Sequence, residues 1–136
     1  MKYLLDTNIC IYLIKKQPTN VLQKFKSIML GDIGISSITL AELMYGIEKS
    51  QHHEKNKIAL EEFTLPLDII PFDGKATQYY GAIRSYLEKK GTPIGALDLL
   101  IAAHAKSLNA VLVTNNVKEF SRVPKLKIEN WVELIF

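Results

Sequence analysis

With 136 residues, 48% of them apolar and 23% charged, the chain fits one globular domain spanning residues 1–136, long enough to bury its own core. Its single cysteine, Cys10, excludes an internal disulfide and fits a reducing cytoplasm. No apolar run approaches the roughly 20 residues a membrane helix needs, and a net charge of +3 suits an acidic partner such as nucleic acid without specifying one.

Lys2–Leu5 reads as a strand running into Asp6-Thr7-Asn8, a turn or helix cap. Ile9–Lys15 follows as a first helix, with Pro18 close behind. Val21–Leu30 carries apolar residues at a helical period, punctuated by Gly31 and Gly34. Ile33–Ile38, β-branched and apolar, reads as a buried strand, with Ser37 or Thr39 capping a helix over Leu40–Ser50. The helical period resumes over Gln51–Leu65. Leu67–Phe72 is a further β-rich run closed by Asp73-Gly74. Lys75–Lys90 is an amphipathic helix stopped by Gly91. After the loop Thr92–Gly95, Ala96–Leu108 is apolar on most sides and is expected to be a buried helix, with Asn109 as its C-cap. Ala110–Thr114 is a short strand. Lys127–Ile128 and Trp131–Ile135 are expected to add a last strand and tail. Strands alternating with helices predict an α/β fold, a mainly parallel central sheet with helices on both faces. In such sheets the functional crevice lies at the carboxyl ends of the strands.

Acidic residues fall at those ends. Asp6 closes the first strand, Glu42 opens the helix after the second, and Asp98 sits in the first turn of the Ala96 helix. Thr114-Asn115-Asn116, followed by Glu119, leaves the Val111 strand in the same way. Carboxylates gathered in one crevice repel, and each raises its neighbour's pKa unless a cation compensates. Oxygen ligands without His or Cys select a hard ion, Mg²⁺ or Mn²⁺. Such ions serve phosphodiester cleavage. Taken singly, Asp6 reads equally well as a helix cap, and Glu42 and Asp98 as first-turn acids favoured by the helix dipole. Two features favour a site. Asp98 stands on a helix otherwise too apolar for a carboxylate, and all the acids coincide at strand exits. His52 and His53 read as solvated, His104 as a satisfied core histidine, and Cys10 as packing. There is no zinc-like spacing and no phosphate loop. Lys118, Arg122, Lys125 and Lys127 form a basic cluster beside the last acidic group, either a solvated face or a phosphate contact.

Leu4-Leu5-Asp6-Thr7-Asn8, Ser36 to Gly46 around Glu42, Asp98 to Ala105, and Val113 to Phe120 resemble, in order and spacing, the PIN-domain VapC toxins. Gly91–Gly95 and Ile128–Trp131 extend the likeness over nearly the whole chain. The resemblance implies a three-layer α/β/α fold with a five-stranded parallel sheet. It implies an endoribonuclease using Mg²⁺, with Mn²⁺ able to substitute, that inhibits translation. Initiator tRNA, cut in the anticodon region, is the expected substrate. A homodimer, a cognate VapB-like antitoxin and promoter DNA reached only through that antitoxin are the implied partners, in the cytoplasm and away from any membrane. Carried over residue by residue, Asp6 and Asp98 hold the metal directly and Glu42 directly or through water. Glu119 and Asn116 complete a second position. Thr7 and Thr114 orient carboxylates, and Arg84, Lys118 and Arg122 contact the RNA backbone. The chain departs from the family pattern at Asn116, where many members carry an aspartate, and at Leu97, where an asparagine is usual.

Three other functions use part of the same pattern. A haloacid-dehalogenase-type phosphatase needs a second aspartate where this chain has Asn8. A non-catalytic PIN-like RNA-binding module usually has broken acids, whereas Asp6, Glu42 and Asp98 are intact. A nuclease acting on DNA would use the same acids, since discrimination rests on contacts to the 2′-hydroxyl.

Overall fold

The computed structural model describes residues 1–132. In chain order the elements are β1 (Tyr3–Leu5), α1 (Thr7–Lys15), α2 (Thr19–Lys26), a 3-10 turn (Leu30–Asp32), β2 (Ile33–Ser36), α3 (Ser37–Glu48), α4 (His53–Thr64), β3 (Asp68–Ile70), α5 (Gly74–Lys90), α6 (Ala96–Leu108), β4 (Val111–Val113), α7 (Val117–Phe120) and β5 (Ile128–Glu129). The five strands form one sheet in the order β3-β2-β1-β4-β5, with every pairing parallel.

Side-chain alternation along the short strands feeds two cores. Leu5 and Val113 point to the face covered by α1 to α4, where they meet Ile9, Leu13, Val21, Leu43, Ile47 and Leu60. Leu4 and Leu112 point to the other face, against Ile83 and Leu87 of α5, the apolar stretch of α6, and Phe120. Both sheet faces are therefore covered, as a parallel sheet requires. Gly34 lies in the middle of β2, where a Cβ would stand 2.6 Å from Met1 Sδ, 2.8 Å from Ile70 Cδ1 and 3.1 Å from the Asp68 carbonyl. Gly34→Ala is expected to overpack this part of the sheet and cost about 1–2 kcal/mol. A thermal melt that falls by less than about 2 °C would show that the neighbours of Gly34 yield freely.

Capping residues stand at the strand exits. Asp6 accepts from the Ile9 amide at 2.9 Å to start α1, Ser36 from Ile38 at 3.0 Å to start α3, and Asp73 from Ala76 at 3.1 Å to start α5. Gly91 closes α5 with φ +72°, the left-handed conformation that stops a helix there.

The expected strand over Ile33–Ile38 ends at Ser36, and the helix expected from Leu40 starts at Ser37. Ser36 caps the helix, so the β-branched Ile38 and Thr39 enter its first turn rather than a strand. The helical period expected through Leu30 stops at Lys26, and a separate turn covers Leu30–Asp32. The last strand is Ile128–Glu129. Of the tail expected over Trp131–Ile135, Trp131 and Val132 lie outside any strand, and positions 133–135 fall outside the described residues. Among the described residues, no helix is long and apolar enough to cross a membrane.

Candidate active site

The chain adds β1, β2 and β3 in one direction, then returns across β1 to place β4 on its other side. That reversal opens a crevice at the carboxyl ends of β1 and β4. Asp6 and Thr114 are the first residues beyond those two strands, and the Asp6 amide donates to the Val113 carbonyl at 3.0 Å. Asp6 is buried, at 6% exposure. Burial is the main force pushing its carboxyl above the usual range, and the Glu42 charge adds to it. Hydrogen bonds from the Thr114 hydroxyl and the Ile9 and Asn8 amides partly oppose the shift.

Glu42 reaches the same crevice from α3. It is the sixth residue of that helix rather than a first-turn acid, because α3 begins at Ser37. The helix-dipole explanation for Glu42 therefore fails. Its Oε1 accepts from the Thr7 hydroxyl at 2.8 Å. Asp98 does stand in the first turn of α6. Its pKa is raised to about 6, first by burial and then by the negative charges of Glu119 and Asp6. Glu119, on α7, moves the other way. The Gly95 amide donates to its Oε1 at 2.6 Å and the Asn116 side-chain amide to its Oε2 at 2.8 Å, and these bonds hold it below the usual range. Asp98 and Glu119 also hydrogen-bond to each other, a bond that raises Asp98 and lowers Glu119. One carboxyl of this pair is tuned to keep its proton and the other to lose it.

The structure thus draws Asp6, Glu42, Asp98 and Glu119 into one electrostatic neighbourhood, with Thr7 and Thr114 donating to two of them. Among the described residues, no three His, Cys, Asp or Glu side chains close on a single point. Asp98 and Glu119 share a hydrogen bond, while Asp6 and Glu42 are each held by a threonine hydroxyl. An all-oxygen set with excess negative charge fits a hard divalent cation, which takes few protein carboxylates and completes its sphere with water and phosphate.

The basic residues divide. Arg122 lies near Glu119, and its Nη1 donates to the Pro93 carbonyl at 2.9 Å, bracing the loop that carries Gly95. Lys118 is exposed on the same short helix as Glu119. Lys127 is elsewhere. Its Nζ donates to Asn109 Oδ1 at 2.9 Å, before β4 begins, at the end of the sheet opposite the acids. The chain crosses the sheet between Arg122 and Lys127, so the four basic residues form no single patch. Arg84 is exposed on α5 and paired with Glu88. Leu97, where family members carry asparagine, is exposed beside Asp98.

Sequence reasoning missed the Gly95 amide that grips Glu119; only a glycine at a helix start hinted at it. His104, expected as a satisfied core histidine, is satisfied at one ring nitrogen. His104 Nδ1 shares a 2.8 Å hydrogen bond with Ser36 Oγ, and Phe72 packs edge-on against the ring. Its Nε2 is buried with no hydrogen-bond partner among the described residues. Burial lowers the His104 pKa, with Asp73 opposing. Unfolded chains therefore take up a proton near pH 6.5 that the folded state resists, and stability is lost as pH falls below that value. The melting temperature of wild type should drop more steeply between pH 6.5 and 5 than that of His104→Asn, measured against the same acidic background. Parallel slopes would remove this role.

The PIN domain pattern matches residues 3–126. The chain is similar to ribonuclease VapC2 of Rickettsia felis (strain ATCC VR-1525 / URRWXCal2), 52% identical over 132 residues covering 96% of this chain and 98% of that protein. It is also similar to the tRNA(fMet)-specific endonuclease VapC of Shigella flexneri, 44% identical over 131 residues, with 96% and 98% covered. The crystal structure of VapBC2 from Rickettsia felis, bound to a DNA fragment from their promoter, superposes with a TM-score of 0.89 at 51% identity, covering 96% of this chain and 99% of that one.

Proposed function

The chain belongs to the PIN-domain family, among its VapC ribonucleases, and on that premise we propose that it is the ribonuclease toxin of a toxin–antitoxin pair, hydrolysing RNA at the acidic crevice. The observation that carries the reading is the split between Asp98 and Glu119 in a crevice that also holds Asp6 and Glu42. A purely structural helix start has no use for four acids whose charges oppose one another.

Asp6 and Asp98 are the residues proposed to hold a divalent cation, with Glu42 direct or through water and Glu119 with Asn116 at a second position. When bound, such a cation neutralises charge and acidifies water for attack at phosphorus. The chain's own groups set the stage for that. The Thr114 hydroxyl fixes the Asp6 carboxylate, and the Thr7 hydroxyl fixes Glu42, so each presents its remaining lone pairs to the crevice. The Gly95 and Asn116 donors hold Glu119 ionised beside Asp98. Arg122 and Lys118 flank the acids as phosphate contacts, and Arg84 is a further proposed RNA contact. The ion proposed is Mg²⁺, with Mn²⁺ at least as effective, since first-row metals bind such ligands more tightly. The substrate proposed is initiator tRNA, as the name of the Shigella flexneri relative suggests, with the cut placed in the anticodon region by the family resemblance alone. A VapB-like antitoxin in a cytoplasmic complex, with the toxin as a homodimer, is the proposed restraint.

Purified protein incubated with tRNA, mRNA and single-stranded DNA in Mg²⁺, Mn²⁺ or EDTA tests this. RNA cut in either metal and spared in EDTA is the expected pattern. Full RNA cleavage in excess chelator would overturn the metal assignment, and cutting of DNA alone would overturn the substrate class.

A further inference from the structure

A cavity of about 190 Å³ lies between α5 and the 92–96 loop, outside the acidic crevice. Its floor is apolar, made by the buried Leu87 and Leu99 with Ile94, and its rim carries Tyr80, Arg84 and Glu88. It is smaller than the ~300–1,000 Å³ of pockets for drug-sized ligands, so it suits one planar ring system rather than a peptide segment.

The rim is ordered despite its exposure. Arg84 Nε donates to Glu88 Oε1 at 3.1 Å, and Nη1 donates to the Tyr80 hydroxyl at 2.9 Å. The guanidinium carbon stands 6.0 Å from the Tyr80 ring centroid. Pro93 is held from behind by Arg122 through its carbonyl. An apolar cavity is thus edged by a hydrogen-bonded cation, a carboxylate and an aromatic ring. Those bonds leave Arg84 Nη2 as a donor, and Glu88 Oε2 with the second lone pair of Oε1 as acceptors.

The same loop serves both sites. Gly95 grips Glu119, while Pro93, Ile94 and Ala96 line the cavity, and Ala96 is two residues from Asp98. A base seated in the cavity would anchor an RNA strand whose backbone passes the acids.

We propose that this cavity is a subsite for a single guanine base of the RNA, a proposal that rests on the ribonuclease reading above. Guanine presents two adjacent donors, N1–H and the 2-amino group, beside the O6 acceptor. The donors match the Glu88 carboxylate, and O6 matches the Arg84 guanidinium. Adenine and cytosine place a ring-nitrogen acceptor where guanine has N1–H, and uracil flanks its one donor with two carbonyls. Stacking on the Tyr80 and Pro93 faces adds affinity common to all bases, while Glu88 and Arg84 supply the discrimination.

The test needs no cleavage. The full chain, in EDTA, is titrated with GMP, AMP, CMP and UMP by NMR, following Tyr80 and Ile94. GMP is expected to bind about tenfold more tightly than the other three, the discrimination of one good bidentate pair. Glu88→Gln should abolish that preference with an unchanged melting temperature, since Glu88 is exposed. Tyr80→Phe, which frees Arg84 from the hydroxyl, should reduce GMP affinity a few-fold. Equal binding of all four nucleotides, no binding of any, or a GMP preference that survives Glu88→Gln overturns the subsite. Either way, metal-dependent RNA cleavage would still be judged on its own assay, so the two readings fail separately.

Discussion

Asp6→Asn is expected to cut RNA cleavage by about 10²–10⁴ while leaving the fold intact. The size follows from losing several kcal/mol of charge stabilisation at the crevice, at about 1.4 kcal/mol per factor of ten. Asp6 has two roles at once, and this substitution separates them. As a cap, its Oδ1 accepts from the Ile9 amide to start α1. Asparagine caps helices as well as aspartate does, so α1 should form unchanged. As a charged ligand, Asp6 has no equivalent in asparagine, which offers one neutral carbonyl. Asp6→Ala loses both roles and should also lower stability by about 1 kcal/mol through the missing cap. Measuring kcat/KM on an RNA oligonucleotide beside a melting curve distinguishes the outcomes. Wild-type cleavage by a folded Asp6→Asn protein would reduce Asp6 to a helix cap and sink the site as drawn.

The features legible in the sequence are those set by local chemistry. The end of β1 at Asp6, the stop of α5 at Gly91 and the left-handed C-cap of α6 at Asn109 follow from residues whose conformational preferences need no distant partner. The start of α3 was not legible in the same way. Ile33 to Ile38 is β-branched throughout apart from Gly34 and two serines, and the sequence pattern suggests Ser37 or Thr39 as the cap. Ser36 is chosen in the fold, where its hydroxyl also meets His104 from a helix 68 residues away. That choice moves Glu42 from the first turn to the second, which changes the physical meaning of the residue.

The site shows the same division. Placing acids at the exits of parallel strands needs only the alternation of strands and helices. The proton bias between Asp98 and Glu119 depends on the Gly95 amide and the Asn116 side chain, brought together by loop geometry. Lys127 reads as a neighbour of Arg122 because they lie only five positions apart in sequence. Val123 and Leu126, packed into the second core, carry the chain across the sheet between the two, and sequence proximity gave no sign of that.

Asp98→Asn should also abolish activity, yet it should raise the melting temperature of the metal-free protein. Asp98 is half-buried, and its carboxyl is raised to about 6 by burial and by Glu119, Asp6 and Glu42. The folded state therefore retains a proton that the unfolded chain releases near 3.8, so stability is full below that value and is lost as pH rises through about 6. At neutral pH the ionised Asp98 opposes folding. Solvent screening of a half-exposed group trims the relief on removing it to about 1 kcal/mol. For a domain of this size that is roughly 3–5 °C. Asparagine keeps a donor for Glu119 and nearly the same shape, so the packing around α6 survives. The advantage of the mutant should be present at pH 7, shrink as pH falls through about 6, and be gone well below 3.8, where the wild-type carboxyl is protonated in both states. Mg²⁺ should then raise the melting temperature of wild type more than that of the mutant, because a ligand stabilises only the state that binds it. A plain first-turn acid behaves in the opposite way, since losing its favourable interaction with the helix dipole is neutral or mildly destabilising. A lower melting point for Asp98→Asn in EDTA at pH 7 would therefore reject a shared crevice for Asp98, whatever the cleavage assay returned.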